Sequence, residues 1–481
     1  MRILKHYADE SKNKSKSQPR HSQKAAAGKR YAATPEKPYR HEKTDRFEKK
    51  NPPELRMKKQ ASDLGSTKLY PVKKADVIKA EQQAKRARTD CPATPTAPVP
   101  QTKAGYAPAI LFAGFILTIA IWFIVSPKGT FSASEKRELA EFPNASAENI
   151  LSGKFGEEFE TYFADHFPGR NLWVGVNAYT NLLEGNNGAD GVYRCSNGYL
   201  INKPVPTKNQ IDTNIENLTD FKQEIGNIPM TAMFAPSTGY VVDDVLPLIH
   251  DTYRDDEYFP KIAADLKAGG IGFIDLRSTF KQAYKDGAQL YYKTDHHWTT
   301  EGAYNAYVEY CSKMKLKAAP RSSFTVERYK DFYGTTYSSS GFWDNPSDTV
   351  EVWNNPKNTE DKITVNISDG KPPYKHANSM FFYEHDKEVD KYPIFLDGNH
   401  AFTEITNDNV KDGTILVIKD SFCHSFAPFL AENYHKVIMV DMRYNSQSII
   451  DMVKVEKPDQ VLVLYGIDNF AEDTDLGHLW G

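Results

Sequence analysis

Cysteine is scarce in this sequence, with only four residues, Cys91, Cys195, Cys311 and Cys423, among 481. No two of them form a CxxC pair, so the sequence supports neither a zinc finger nor a thioredoxin-type redox site. Three cysteines follow the one long hydrophobic run, and an odd number there argues against a disulfide framework. A domain beyond that run is therefore not expected to be held together by disulfides.

Large apolar side chains are rare in the first hundred or so residues, where Lys, Ala, Ser, Gln and Pro dominate. Residues 1–106 carry 26 Lys and Arg but only 11 Asp and Glu, against 60 and 63 in the whole chain, so the remainder is acidic. Such a segment cannot bury enough apolar surface to offset the entropy that ordering costs. Residues 1–103 are therefore predicted to be a disordered, basic tail.

One long hydrophobic run, APAILFAGFILTIAIWFIV at 107–125, contains no charged residue. Its 19 residues, at ~1.5 Å each, span roughly 28 Å, close to the ~30 Å hydrocarbon core of a bilayer. A buried core helix or a cleavable signal fits less well, because the run is apolar all round and begins about a hundred residues into the chain. Residues 104–127 are therefore predicted to be a transmembrane helix.

The charge distribution predicts how the chain is oriented. Positive charge precedes the helix, which predicts a single-pass protein of the cell membrane with a cytoplasmic N-terminus and an extracellular C-terminal domain. A basic tail can bind nucleic acid, but for a tail tethered at a membrane, attraction to the lipid bilayer is favoured. No nucleic-acid partner is expected.

Beyond the run, the apolar pattern predicts an α/β domain at 186–481. Residues 128–185 are apolar at helical intervals, which predicts a stem of two helices divided at Pro168-Gly169. After a hairpin with Asn197-Gly198 as its turn, short apolar strands alternate with helices, which predicts a parallel sheet covered on both faces. The aperiodic, aromatic-rich segment at about 318–400 is interpreted as an insertion.

The string YKTDHHW at Tyr292–Trp298 is the first with chemical character. One histidine can be a general base whose tautomer Asp295 fixes. Asp295, His296 and His297 can instead bind a metal, although side chains of consecutive residues diverge and at most two would usually reach one ion. The third interpretation is a loop that only caps the helix beginning near residue 299. These residues alone leave the alternatives open.

A second string, TILVIKDSFCHS at 414–425, runs from an apolar strand through Asp420-Ser421 directly into a helix. An α/β sheet presents a nucleophile at such a junction, where free N–H groups can bind an oxyanion. Ordinary helix capping is the alternative, because Ser and Asp also favour that role. Cys423 and His424 are an alternative nucleophile and base, but helix geometry turns them away from Ser421.

Three further strings offer polar groups to the same crevice. VLVLYGIDNF at 461–470 ends another strand, the intervening strand ends near residue 443, and LDGNH at 396–400 contains an asparagine. Each is an ordinary turn on the alternative interpretation. The candidate oxyanion or substrate groups in these strings are Arg443, Tyr465, Gly466, Asn469 and Asn399.

Taken together, these strings resemble the DHHW family, which belongs with the alginate O-acetyltransferase-like branch of the SGNH hydrolases. The resemblance covers about residues 135–475 and is carried by DHHW at 295–298, DHFPGRNLW at 165–173, KDSFCHSFAPFLAENY at 419–434, DMRYN at 441–445 and VLVLYGIDNF. It implies a three-layer α/β/α fold that is circularly permuted, because the Asp-His element precedes the serine.

The resemblance also implies roles for individual residues. The Asp-x-His pair of this branch falls on Asp295 and His297, and its serine falls on Ser421. Typical SGNH sequences have glycine in front of the serine, whereas Lys419-Asp420 stands there in this chain. The oxyanion donors are therefore not matched by the resemblance.

The implied function is a membrane-anchored, extracytoplasmic O-acetyltransferase that acts on a cell-surface polysaccharide through an acyl-enzyme on Ser421. A membrane-bound O-acyltransferase would supply the acetyl groups, and no cofactor or metal is expected. A carbohydrate esterase of the same fold and a non-catalytic polysaccharide-binding or assembly protein are the alternatives, and a metal-dependent hydrolase ranks third. Aromatic residues of the insertion can stack on sugar rings or simply form core, namely Tyr333, Tyr337, Phe342, Trp343 and Trp353.

Overall fold

The structure, a computed structural model, describes residues 106–132, 137–205, 209–372 and 374–481. The tail predicted at 1–103 lies outside these residues. Helix α1, Ala107–Val125, follows the hydrophobic run and is long and apolar enough to cross a membrane by length and composition. Its one hydroxyl side chain, Thr118, donates to the carbonyl of Gly114 at 2.8 Å, so that hydroxyl needs no water.

Residues 128–481 belong to a separate compact unit, which begins with a small strand pair and three helices. These elements are β1 (Phe131–Ser132), β2 (Arg137–Glu138), α2 (Ala147–Leu151), α3 (Lys154–Asp165) and α4 (Arg170–Leu183). The two predicted helices are present, and they are separated at Gly169, whose φ of +68° suits glycine. The carboxylate of Asp165 accepts from Arg137 Nη1 and from the Ala140 N–H, at 2.9 and 2.8 Å, and thereby joins α3 to β2.

The predicted hairpin is also present, within a three-stranded antiparallel sheet. Its strands are β3 (Gly188–Ala189), β4 (Val192–Arg194) and β5 (Leu200–Asn202). Asn197 and Gly198 have φ of +57° and +78°, the left-handed conformation that Asn and Gly adopt most readily.

In the described part of the chain beyond β5, ten strands follow, and eight of them form the main sheet. They are β6 (Met230–Ala235), β7 (Gly272–Asp275), β8 (Thr325–Phe332), β9 (Asp348–Asn354), β10 (Ile363–Ser368), β11 (Lys375–Ala377), β12 (Phe402–Asn407), β13 (Thr414–Lys419), β14 (Lys436–Asp441) and β15 (Gln460–Gly466). The order in the sheet is β11-β10-β12-β14-β13-β15-β6-β7, whereas β8 and β9 pair separately.

The main sheet is mixed and mostly parallel, so the prediction of a parallel sheet is only partly right. Strands β14, β13, β15, β6 and β7 pair in parallel. Strands β11, β10 and β12 extend the sheet in antiparallel pairs. Strands β10 and β11 lie in the segment at about 318–400 that was interpreted as an insertion, so this part of the segment belongs to the main sheet. Short loops suffice to join antiparallel strands of this kind.

Helices pack on both faces of the parallel part of the sheet. They are α5 (Asn209–Glu224), α6 (Thr238–Val241), α7 (Asp255–Ala268), α8 (Arg277–Lys285), α9 (Thr300–Met314), α11 (Cys423–Leu430), α12 (Ile449–Glu456) and α13 (Ile467–Glu472). Helix α10 (Thr335–Ser340) instead contacts β4 and β5 of the small sheet. Ile415 and Val417 of β13 pack in the core that holds α9 and α11. Leu416 and Ile418 pack in the core that holds α5, α7 and α12, as the period of two in a strand requires.

The position of β13 decides what can surround Ser421. In sequence, β14 stands between β13 and β15, but in the sheet β13 pairs with both of them. The serine therefore follows the middle strand of the three. Loops that follow β6 and β15 reach the same edge, because the carboxyl ends of parallel strands share one edge of a sheet.

Candidate active site

The DHHW loop at 295–298 lies between α8 and α9 and is closed by an antiparallel bridge between Tyr291 and Trp298. Trp298 is fully buried, and its Nε1 lies 3.0 Å from both the carbonyl oxygen of Phe422 and Oγ of Ser425. The indole N–H therefore fastens the loop onto the first turn after β13, which begins with Ser421.

Asp295, His297 and Ser421 form a continuous line of hydrogen bonds. Oδ1 of Asp295 accepts from the backbone N–H of His297 at 2.9 Å and also contacts Nδ1 of the same ring. On the other side of the ring, Nε2 lies 2.6 Å from Ser421 Oγ, although 124 residues separate the two in sequence. With its proton on Nδ1, facing the carboxylate, the imidazole presents a lone pair at Nε2 to the serine hydroxyl.

These three side chains are largely shielded from water. Asp295, His297 and Ser421 are 1%, 5% and 7% exposed. The ring of Tyr392 stacks on His297 with ring centroids 4.1 Å apart, and its hydroxyl donates to the carbonyl of Ser421 at 3.0 Å. Tyr392 therefore contacts both the imidazole and the serine backbone. Such an arrangement can deprotonate an attacking hydroxyl and hold the resulting imidazolium against a carboxylate.

His296 has a different partner, the hydroxyl of Thr335, whose Oγ1 lies 2.6 Å from His296 Nδ1. Thr335 also donates to Oδ2 of Asp295, from its backbone N–H at 2.6 Å and from its hydroxyl at 3.1 Å. Because the hydroxyl has one proton, donation to Asp295 requires Nδ1 of His296 to be the donor to Thr335. Hydrogen bonds thus connect His296, Thr335, Asp295, His297 and Ser421.

Sequence reasoning missed Thr335 and its neighbour Gly334. A Cβ atom on Gly334 would lie 2.1 Å from Cβ of Asp295, so this position requires glycine if Thr335 is to reach the carboxylate. Both residues lie at the start of α10, in the segment without a hydrophobic period, and the string GTTY there matches no motif. No signal in the sequence singles them out.

Asp420 holds the serine turn in place. Its Oδ1 accepts from the N–H of Phe422 at 2.9 Å, and its Oδ2 accepts from the N–H of Gly466 at 2.8 Å and from Asn469 Nδ2 at 2.7 Å. Burial raises the pKa of Asp420, whereas the hydrogen bonds from Asn469 and Gly466 favour its ionised form. The two groups that were expected to face an oxyanion are therefore directed at Asp420.

Tyr465 does not face the crevice, contrary to expectation. It lies on the other face of β15, in the core with α5, α7 and α12, and its ring is 6.1 Å from that of Phe470. The cause is the alternation of side chains along a strand, which puts Leu464 and Tyr465 on opposite faces.

Arg443, which is half-buried, and the exposed Asn399 lie beside the buried ion pair of Lys419 and Asp441. Arg443 binds Asp441 through Nε at 2.9 Å and Nη2 at 2.8 Å, and its Nη2 also donates to Asn399 at 3.2 Å. Asp441 accepts from Lys419 Nζ at 2.7 Å. Burial alone would raise the pKa of Asp441, but Lys419 and Arg443 lower it to about 2. Arg443 was a candidate substrate contact, but in the structure its guanidinium group binds the carboxylate of Asp441.

Cys423 and His424 are poorly placed to replace the serine and its base. Cys423 is fully buried, its Sγ lies 3.7 Å from Met439 Sδ, and burial raises the pKa of its thiol to about 12. His424 Nε2 lies 2.8 Å from Lys419 Nζ, and burial together with that ammonium lowers the pKa of the imidazole. His424 is therefore neutral and faces Lys419.

Ligand atoms of Asp295, His296 and His297 lie within 4.8 Å of one another, a spacing that could hold a metal ion. Both ring nitrogens of His297 are engaged, by Asp295 and Ser421, and Nδ1 of His296 is engaged by Thr335. A metal here would have to displace these hydrogen bonds, so the donor set fits a proton relay better than a metal centre.

A cleft opens beside these residues at the carboxyl edge of the sheet. Its walls come from β5, from the loops after β6 and β15, from α10, from the DHHW loop and from the serine turn. The lining residues are Leu200, Ile201, Asn202, Ala235, Pro236, Thr238, Asp295, His296, Thr336, Phe422, Gly466, Ile467, Asp468 and Asn469.

Residues 276–440 match the sequence model of the family described as DHHW protein. The resemblance to the DHHW family is confirmed. The probable alginate O-acetylase AlgJ of Azotobacter vinelandii is 29% identical over 214 residues, 40% of this chain and 48% of that protein. The protein of the same name from Pseudomonas putida is 24% identical over 200 residues, 39% of this chain and 51% of the relative. The chain thus spans about half the length of these curated relatives.

Two solved structures share the fold. A DHHW family protein from Eubacterium siraeum superposes with a TM-score of 0.52 at 20% identity, over 60% of this chain and 95% of that one. The structure of Bacillus cereus PatB1 with a sulfonyl adduct superposes with a TM-score of 0.52 at 22% identity, and the match covers 61% of this chain and 99% of PatB1. At these identities the likeness shows the fold alone.

Proposed function

We propose that this chain is a serine-dependent O-acetyltransferase that acts on a polysaccharide. The observation that carries the proposal is the line from Asp295 through His297 to Ser421, with 2.6 Å between His297 Nε2 and Ser421 Oγ. The names of the curated relatives support an acetyl group and a polysaccharide acceptor. The fold supports placing the chain with the circularly permuted, SGNH-like α/β/α proteins.

The reaction has two halves. Ser421 Oγ attacks the carbonyl carbon of the acetyl donor while His297 Nε2 takes the hydroxyl proton, and Asp295 stabilises the imidazolium. The tetrahedral intermediate collapses, and the leaving group departs with the proton from His297. A sugar hydroxyl then gives its proton to His297 and attacks the acetyl-serine carbonyl carbon. When this second intermediate collapses, the bond to Ser421 Oγ breaks, His297 returns the proton to Oγ, and the acetylated sugar is released.

The negative charge of each tetrahedral intermediate needs hydrogen-bond donors. The backbone N–H of Ser421, at the carboxyl end of β13, is proposed as one of them. The N–H of Gly466 is assigned to Asp420 instead, because it already donates to that carboxylate at 2.8 Å. Asn469 lines the cleft and has a second amide hydrogen, so it stays a proposed substrate contact.

The proposed setting is the outer face of the cell membrane. Residues 1–103 would form the cytoplasmic tail, 104–127 the anchor, 128–185 the stem and 186–481 the catalytic domain. The support is helix α1, which by length and composition alone can cross a bilayer. A membrane-bound O-acyltransferase is the proposed acetyl donor, and a cell-surface polysaccharide is the proposed acceptor.

An experiment that measures how the acetyl group is divided between water and a sugar distinguishes the transferase from its alternatives. The full chain in detergent is incubated with a chromogenic acetyl ester and sugar oligomers, and both chromophore release and acetylated sugar are measured. A transferase yields acetylated sugar, whereas an esterase yields only acetate. A folded chain without ester turnover would support a binding or assembly role instead. Ser421→Ala should abolish both products, and Ser446→Ala, at an exposed serine, is the matched control.

A further inference from the structure

A row of aromatic side chains runs along the outside of the stem, the segment at 128–185. Centroids of neighbouring rings in this row lie 5.5 to 6.5 Å apart. Phe142 is 61% exposed, Trp173 is 47% exposed, and Phe159 is 37% exposed. An exposed apolar surface of this extent indicates an interaction site. The six residues of this aromatic face are Phe142, Phe155, Phe159, Phe163, Phe167 and Trp173.

Helix α3 turns its aromatic row outward. Phe155, Phe159 and Phe163 recur at every fourth position, so they lie in one row along the helix. The buried residues of the helix are Tyr162 and Asp165, and the carboxylate of Asp165 binds β2. The side of α3 that packs on the strand pair is therefore a different one from the aromatic row. Among the described residues, the three hydrophobic cores of the unit include none of the six aromatic residues.

A short linker ties this face to the end of the membrane helix. Gly129 is the fourth residue after Val125, where α1 ends. A chain extends at most ~3.6 Å per residue, so Gly129 lies within roughly 14 Å of that end. The carbonyl oxygen of Gly129 lies 3.0 Å from Nε2 of His166, the residue that follows α3. The His166 ring, between Phe163 and Phe167 in sequence, therefore stays within about 20 Å of the end of α1.

A bilayer surface is the partner that this distance places beside the aromatic face. The polar headgroup region of one leaflet is roughly 5–8 Å deep, so the linker spans it with little length to spare. Phe and Trp are favoured at the boundary between headgroups and acyl chains, on helices that lie in the plane of the membrane. The aromatic face has the composition that this boundary selects.

The charge of the stem indicates which force would hold it there. Residues 128–185 carry five Lys and Arg but nine Asp and Glu. A net negative segment is not attracted to anionic headgroups, so burial of the aromatic side chains has to supply the free energy of docking. The expected partner is therefore a neutral, zwitterionic lipid surface.

We infer that the aromatic face of the stem docks on the surface of the bilayer, with its rings among neutral headgroups and upper acyl chains. The inference rests on the membrane anchor of the proposed function. Trp343 Nε1 donates to the carbonyl of Asn171 in α4 at 2.7 Å, and the same segment carries Thr335, whose N–H binds Asp295. A docked stem would thus hold the catalytic domain at a fixed height above the membrane.

Photolabelling from lipid tests this inference. The full chain is reconstituted in phosphatidylcholine vesicles that contain a small fraction of phosphatidylcholine with a diazirine at the top of one acyl chain. After illumination and digestion, labelled peptides are mapped by mass spectrometry. Label is expected in α1 and also in residues 155–173. Neither anionic lipid nor low salt should be needed, because apolar burial is not screened by ions.

Two variants attribute the stem label to the aromatic face. Phe159→Ser combined with Phe163→Ser should lower the label in residues 155–173 by at least about fivefold and leave the label in α1 unchanged. Leu248→Ser, at a wholly exposed leucine outside the stem, is the matched control and should leave both labels unchanged. A melting temperature close to that of the unmodified chain shows that each variant is folded.

The outcomes separate the inference from the anchor on which it rests. Label confined to α1, or stem label that persists in the double variant, would overturn the inference. The first of these results is also what a stem that pairs with a second copy of the chain would give. Absence of label in α1 would instead contradict the proposed membrane anchor and remove the basis of the inference.

Discussion

At the scale of residues, two adjacent histidines have separate partners. His297 faces Ser421 Oγ at 2.6 Å, whereas His296 faces Thr335 Oγ1 at the same distance. The two rings lie side by side, with centroids 3.9 Å apart, so the expectation that consecutive side chains diverge is wrong here. His297 is the residue placed to take the serine proton, because its Nε2 faces Ser421 Oγ, whereas Nδ1 of His296 faces Thr335. His297→Ala should therefore lower ester turnover by at least about a hundredfold, while His296→Ala retains most of it. A fully folded His296→Ala chain that is inactive beside an active His297→Ala chain would reverse these roles.

Thr335 is proposed as a positioning residue that acts through Asp295. The substitution Thr335→Val removes the hydroxyl, so Oδ2 of Asp295 loses one hydrogen-bond donor and Nδ1 of His296 loses its acceptor. The backbone N–H of residue 335 still donates to Asp295. A hydrogen bond of this kind is worth about 1 kcal/mol, so kcat should fall roughly five- to tenfold. KM for a small ester should not change, and Thr335→Ser should restore kcat. A rise in KM with unchanged kcat would contradict a positioning role.

The sequence predicted some of these residues and could not predict others. The string DHHW marks Asp295 and His297, because consecutive polar residues of this kind suit neither a buried strand nor a helix. The junction between an apolar strand and a helix marks Ser421. The prediction for Tyr465 was wrong because side chains alternate along β15, and Tyr465 lies on the face opposite the crevice. Thr335 lies in an aperiodic segment, and its contact with Asp295 depends on a tertiary approach that no local pattern reports.

At the scale of elements, the loop between residues 396 and 400 is stabilised by charge. Leu396, Asp397 and Gly398 all have positive φ, and His400 bridges this turn to Asp369. Burial alone would lower the pKa of His400, but its hydrogen bonds to Asp369 and Asp397 raise it to about 9. The imidazolium therefore contributes to the stability of the loop at neutral pH.

This ion pair predicts how stability depends on pH. The folded chain binds the His400 proton more tightly than the unfolded chain, whose histidine pKa is about 6.5. The contribution is fully present below about pH 6.5 and is lost as the pH rises through about 9, the value in the folded chain. It is on the order of 1–3 kcal/mol. The melting temperature should therefore fall by a few degrees over that window in the unmodified chain but not in His400→Gln. Parallel profiles for the two chains would contradict this account.

Strand and helix boundaries were predicted best where apolar runs are short and continuous. Strands β6, β13, β14 and β15 each coincide with a short, continuous apolar run, as the predicted alternation of apolar strands and helices requires. A strand buried on both faces needs such a run, which is why the parallel strands were recognisable. Strands β10 and β11 were not placed, because pairing partners of antiparallel edge strands are not encoded in a local period.

At the scale of the whole molecule, the order of strands in the sheet creates the site. Placing β13 between β14 and β15 puts the serine turn beside the β15 turn, so Asp420 can reach Gly466 and Asn469. The DHHW loop joins them through Trp298, which binds the serine turn directly. Neither contact follows from the order of elements in the sequence, because a sheet can permute its strands.

The central claim is that Ser421 becomes acetylated, and mass spectrometry of the full chain tests it most directly. The chain is incubated with a chromogenic acetyl ester, quenched, digested and searched for a peptide heavier by one acetyl group. The account predicts an adduct on Ser421 that is absent in Ser421→Ala and strongly reduced in His297→Ala. An adduct that persists in Ser421→Ala, or that maps to Cys423, would contradict it.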